Sequence, residues 1–128
     1  MKLYWMDLKM GIEKGDIYLA NLGDVKCADI GKIRPVLIFQ NNMLNRMIDD
    51  NLYDDIVIVP LSSKLKENDF TYFINKQDKL TKDSVVLCNA IKMIKSKRLL
   101  LDKGVLTKLS DFQMYEIQTK LSLLLDFQ

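Results

Sequence analysis

Among the residues able to do chemistry, Arg34 has the most suggestive setting, directly before Pro35 and the apolar run Val36-Leu37-Ile38-Phe39. A guanidinium is a flat fork of donors that stays charged, so it can hold two oxygens of one phosphate but cannot readily act as a base. Proline gives a β ladder no N–H and belongs at the first residue of a strand or on an edge. Arg34 is thereby placed where loop becomes strand, rigid on one side and open on the other, as suits a cation that must hold a fixed geometry. Without further evidence, an arginine in a surface ion pair fits the same position.

Ser62 and Ser63 follow a second apolar run, Ile56 to Leu61. A hydroxyl there can donate to a phosphate oxygen, although a serine after a strand is more often a turn residue. Cys27 and Cys88 form no CxxC, and the chain has no histidine to complete a zinc site. Both are read as free thiols among apolar neighbours, with no role. Asp49, Asp50, Asp54 and Asp55 offer oxygen ligands, but acidic pairs at the mouth of an apolar strand commonly act as solvated gatekeepers, so no metal or other cofactor is expected. Lys92, Lys95, Lys97, Arg98 and Lys103 concentrate positive charge in one stretch. It fits an anion-binding edge or a solvated strand end and turn.

The elements that must position these groups read mainly as strands. Ile17 to Ala20 follows the turn pair Gly15-Asp16 as a first strand, and residues 21–33 form a long polar loop expected to shape ligand preference. The run after Arg34 has the near-continuous apolar character of a strand covered on both faces. Residues 41–54 suggest a loop with a short helical turn, residues 55–59 a third strand ended by Pro60, and residues 70–74 a half-buried strand. Residues 85–88 and 90–94 read as one strand or as two joined at a kink near Asn89, and Leu99 to Leu101 as a helical turn that Gly104 ends.

At the C-terminus the signals are sharper. Ser110 and Gln113 have capping-box spacing, and Leu109 and Met114 stand where a hydrophobic staple would close. Met114, Ile117, Leu121, Leu124 and Leu125 then fall on one helical face, which is core or interface. Strands followed by one helix, with no βαβ alternation, predict a mainly β, α+β domain built as a small, partly closed antiparallel barrel.

The 128 residues fit one domain, expected over residues 15–128, with residues 1–14 an unassigned N-terminal arm. With 48% hydrophobic and 28% charged residues the composition is that of an ordinary globular chain. A net charge of +2 does not by itself announce nucleic-acid binding. The first ten residues have neither a basic leader nor an unbroken apolar core, so a cytoplasmic protein without a membrane span is expected.

Several stretches, in order, resemble the MazF/PemK/Kid family of toxin ribonucleases: Gly15-Asp16-Ile17-Tyr18, Gly31-Lys32-Ile33-Arg34-Pro35-Val36, Val59-Pro60-Leu61-Ser62-Ser63-Lys64 and Asp83-Ser84-Val85-Val86-Leu87. Lys97-Arg98-Leu99 and Leu109-Ser110-Asp111 continue the likeness, which spans roughly residues 15–127. The resemblance implies an SH3-like barrel, a homodimer, metal-independent cleavage of single-stranded RNA, and an antitoxin whose tail occupies the substrate groove. It implies attack by a ribose 2′-OH on the adjacent phosphorus, giving a 2′,3′-cyclic phosphate and a 5′-OH, and thereby inhibition of translation and growth.

On that likeness Arg34 matches the arginine of the family's G-x-x-R-P motif and Ser62 its hydroxyl after the third strand, with Ser63 one position away. Both Arg34 and Ser62 are expected to be catalytic. Lys32, Gln40, Ser63, Lys64, Tyr72 and Lys92 are the expected substrate contacts, with Phe70 or Phe73 as further stacking faces for bases. Ala90-Ile91-Lys92 departs from a Gln-x-Arg-like pattern of relatives, and no general base is identified. A catalytically weak or inactive binding module on the same fold, of RNA-binding or gyrase-poisoning type, is the alternative reading.

Overall fold

The computed structural model describes residues 11–23 and 33–127. Its strands are β1 (Asp16–Asn21), β2 (Ile33–Ile38), β3 (Asp55–Ser62), β4 (Thr71–Ile74), β5 (Ser84–Leu87), β6 (Lys92–Lys95) and β7 (Thr107–Lys108). Helix α1 (Asn42–Asp49) lies between β2 and β3, and α2 (Asp111–Leu125) ends the described chain. Among the described residues the strands pair antiparallel, in the order β4-β5-β3-β2-β1-β7, with β6 joined to β3 off this path. The result is the expected curled sheet, a half-barrel with a C-terminal helix.

The apolar run of β2 feeds two cores because alternate residues of a strand face opposite ways. Leu37 joins Ile17, Val59, Leu61 and Val86 beneath Ile117 and Leu121 of α2. Val36 and Ile38 join Tyr18, Ile56 and Ile58 beneath Ile48 of α1. The Ser110–Gln113 capping box forms, with the Gln113 N–H donating to Ser110 Oγ at 3.1 Å and the Ser110 N–H donating to Gln113 Oε1 at 2.9 Å. Leu125 departs from the expected stripe and is exposed. No helix among the described residues is long and apolar enough to cross a membrane.

Residues 41–54 hold more structure than the sequence suggests. Asn41 caps α1 by accepting from the Leu44 N–H at 2.9 Å. The helix was hard to see because an amide, Asn45, takes a fully buried position that an aliphatic residue would normally mark. Ile12 is buried, the Arg46 guanidinium donates to Glu13 Oε2 at 2.7 Å and to the Ile12 carbonyl, and Lys14 N–H donates to Asn42 Oδ1 at 2.7 Å. Residues 12–14 are thereby tied to α1. Between β5 and β6 the chain forms two strands joined by a 3-10 turn, Cys88–Ala90, which resolves the kink expected near Asn89.

Candidate active site

Two adjacent strands part to make the site. The register of β2 with β3 runs Ile38↔Ile58, Leu37↔Val59, Val36↔Pro60 and stops. Beyond it Arg34 stays with β1, opposite Ala20, while Leu61 and Ser62 pair with Val86 and Val85 of β5. Pro35 and Pro60, the only prolines of the chain, stand at this point of separation. Pro35 turns toward β3 and cannot donate a backbone hydrogen bond, so the ladder between β2 and β3 lacks a donor where it ends. Two positions past the last pair, on either strand, stand Arg34 and Ser62.

A cleft of about 570 Å³ occupies this opening. Leu19, Ile33, Pro35, Leu61, Leu80 and Leu106 supply apolar lining, and Ser62, Ser63, Thr81 and Ser84 supply hydroxyls. Among the described residues, the charged groups of the lining are the cations Arg34, Lys64, Lys79 and Lys82. The Lys64 N–H donates to Ser62 Oγ at 3.1 Å, which fixes the serine and leaves its own hydroxyl proton free to be donated.

The three arginines of the chain have different surroundings. Arg46 pairs with Glu13 at 2.7 Å and Asp49 at 3.0 Å. Arg98 donates to the carbonyls of Asn21 at 3.1 Å and Gly23 at 2.8 Å. Arg34 is half-buried at the cleft and has no side-chain hydrogen bond or ion pair among the described residues. A guanidinium without a partner among the described residues, in a cleft that gathers cations, is suited to receive an anion.

Residues 13–125 match the family model of the PemK-like, MazF-like toxin of type II toxin–antitoxin systems. The chain belongs to this family. A curated relative, "Endoribonuclease MazF" of Staphylococcus epidermidis, is 36% identical over 116 residues, covering 88% of this chain and 89% of the relative. Solved folds agree. An endoribonuclease in complex with its cognate antitoxin from a mycobacterial species superposes with a TM-score of 0.69 at 23% identity, covering 91% of this chain and 97% of that one. A MazE–MazF structure from Deinococcus radiodurans gives 0.69 at 18% identity, covering 92% and 98%.

In this MazF-like toxin the cleft gathers Arg34, Ser62, Ser63 and Lys64 from the expected set. Lys32 and Cys27 lie outside the described residues, as does most of the expected loop of residues 21–33. Three expected contacts stand elsewhere. Gln40 is buried, its amide donating to the Asp55 carbonyl at 3.2 Å and accepting from the Val57 N–H at 3.3 Å, while Asn45 donates to the Gln40 carbonyl at 3.0 Å. It is a structural clamp between α1 and β3. Tyr72 packs under α2, its hydroxyl donating to Glu116 Oε1 at 2.9 Å. Burial, aided by Glu116, pushes its phenol up to about 12. Lys92 pairs in register with Ile58, in the middle of β3, and is not part of the cleft lining.

The basic stretch expected around residues 92–103 is likewise dispersed. Lys95 pairs with Asp55 at 2.9 Å and Asp54 at 3.4 Å, and Arg98 holds backbone carbonyls. Asp49 also accepts from the Ile12 N–H at 3.3 Å, so Asp49, Asp54 and Asp55 act in ion pairs rather than as free gatekeepers. Cys88 is buried, and burial pushes its thiol up to about 11, leaving it protonated and inert. Sequence reasoning missed Lys79, Thr81 and Lys82. Their polar, lysine-bearing turn was visible, but the β3–β5 register that brings it to Ser62 was not.

Proposed function

We propose that this toxin is a metal-independent endoribonuclease that cuts single-stranded RNA in the Arg34 cleft, leaving a 2′,3′-cyclic phosphate and a 5′-OH. The observation that carries this is that Arg34 and Ser62 line one cleft in which, among the described residues, Arg34 has no ion pair and every charged group is a cation. The curated relative is named an endoribonuclease, which supports the same reaction class.

In this reaction the ribose 2′ oxygen attacks phosphorus, the P–O5′ bond breaks, and the 5′ oxygen takes up a proton. Negative charge grows on the nonbridging oxygens, and preorganised donors aimed at that charge are the largest catalytic lever available. Arg34 supplies a two-pronged clamp and Ser62 a hydroxyl donor. Among the described residues the lining contains no carboxylate, and removal of the 2′ proton is assigned to solvent. The rate should then rise with pH without an inflection in the carboxylate or imidazole range.

The protein acts in the cytoplasm as a homodimer, cuts messenger RNA and so stops translation, and is silenced when a cognate antitoxin fills the cleft. Antitoxin complexes among the solved relatives support the last point. The inactive-module alternative loses its motive, because Ala90 and Lys92 do not line the cleft. The test is incubation of a long single-stranded RNA with EDTA, followed by analysis of the ends. Wild type should cut and leave cyclic phosphates, and folded Arg34→Ala should not. Equal cutting by the variant removes Arg34 from the mechanism.

A further inference from the structure

We infer that Lys79 and Lys82 form a second phosphate site in the cleft, holding the RNA phosphate next to the one at Arg34. This rests on the endoribonuclease reading for its ligand, and on the construction of one turn for its location.

The turn between β4 and β5 is braced at several points. Gln77 and Leu80 exchange backbone hydrogen bonds, 3.1 Å from the Gln77 N–H and 2.8 Å from the Leu80 N–H, across Asp78 at φ +51°. Lys79 N–H donates to the Leu106 carbonyl at 2.8 Å. The buried Thr107 hydroxyl donates to Asp78 Oδ2 at 2.6 Å and accepts from Gln77 Nε2 at 2.9 Å. At the other end Asp83 Oδ1 accepts from the Lys76 N–H at 2.8 Å, and Ser84 Oγ donates to the Lys82 carbonyl at 2.9 Å. A loop tied this often to β5 and β7 is a rigid wall.

The same bonds settle its charge. Asp78 and Asp83 are the acids of this turn, and both are engaged by a hydroxyl or a backbone N–H rather than by a lysine. Lys79 and Lys82 therefore have no ion pair among the described residues, in contrast to Lys95 and Lys108. Both point cations belong to the cleft lining with Arg34.

Among the described residues the lining also contains no aromatic side chain on which bases could stack. An aliphatic floor of Leu19, Leu61, Leu80 and Leu106 can cover one nucleoside but grips it weakly. Affinity along this stretch must come from phosphate contacts, and two phosphates flanking one nucleoside match a guanidinium on one wall and paired lysines on the other.

The experiment uses a fluorescent 2′-O-methyl RNA decamer, which binds but cannot be cut, titrated at several salt concentrations with wild type and with Lys79→Gln/Lys82→Gln. The variant should bind about tenfold more weakly. Its slope of log K against log salt should be shallower by about 0.7, the contribution of one single-strand phosphate. Single methylphosphonate substitutions along the decamer should reveal one position that weakens wild type but not the variant. If wild type cuts RNA while the variant binds with unchanged affinity and slope, the second site is overturned and the nuclease stands. If wild type fails to cut yet the variant shows these losses, the nuclease reading falls and the site stands. Wild type that does not bind the decamer overturns the site as well.

Discussion

Arg34 and Arg46 are the same side chain in opposite circumstances. Arg46 is held between Glu13 and Asp49 and ties the segment before β1 to α1. Arg34 lines an open cleft with Lys64, Lys79 and Lys82 and, among the described residues, no acid. Strand β3 joins these two kinds of region, starting at Asp55, paired with Lys95, and ending at Ser62 in the cleft. A cation with partners of its own mainly sets geometry and stability, whereas one left without them keeps its attraction for a ligand.

The sharpest way to break this contrast is to make one substitution at both places. Arg34→Ala should lower the cleavage rate by about 10² to 10³-fold, the usual loss for a missing charge-stabilising donor, with an unchanged melting curve. Arg46→Ala should do the reverse, lowering unfolding free energy by about 1 to 3 kcal/mol in denaturant titrations while leaving the rate per folded molecule intact. Loss of activity from Arg46→Ala without loss of stability would end the division.

Gln40→Ala tests the same division without charge. It strands the Val57 N–H and should cost about 1 to 3 kcal/mol of stability, with RNA affinity unchanged. A weakened Kd for RNA in the folded variant would restore Gln40 to the substrate site.

The remaining tests have smaller effects. Burial raises the Asp16 carboxyl above its ordinary value, against the pull of Lys108 at 3.2 Å. Its folded form therefore holds a proton more tightly than the unfolded chain, so stability is greater below this window and falls as pH rises through it. Lys108→Ala should deepen that fall, with a loss in Tm at pH 7 that vanishes near pH 4. Lys95→Ala, removing a solvent-exposed pair, should leave both Tm and RNA affinity unchanged within error.

Local signals made much of this legible. The capping box of α2, the two-faced run of β2 and the junction at Arg34 depend on a few adjacent residues, so sequence carries them. Gln40 and Tyr72 misled for the converse reason. An amide and a phenol look like ligand-binding groups until α1 and α2 are folded over them, where they serve the interior. The Lys79–Lys82 wall was invisible because its place depends on β5 returning beside β3, a pairing between residues far apart in the chain.

Pro35 carries a last consequence. Because it leaves the β2–β3 ladder short of a donor where it ends, the gap belongs to the folded ground state. A ligand meets a doorway already framed. Entry requires no strand to be peeled away, so association should follow one fast, concentration-dependent phase, with electrostatic attraction rather than a conformational wait setting its speed.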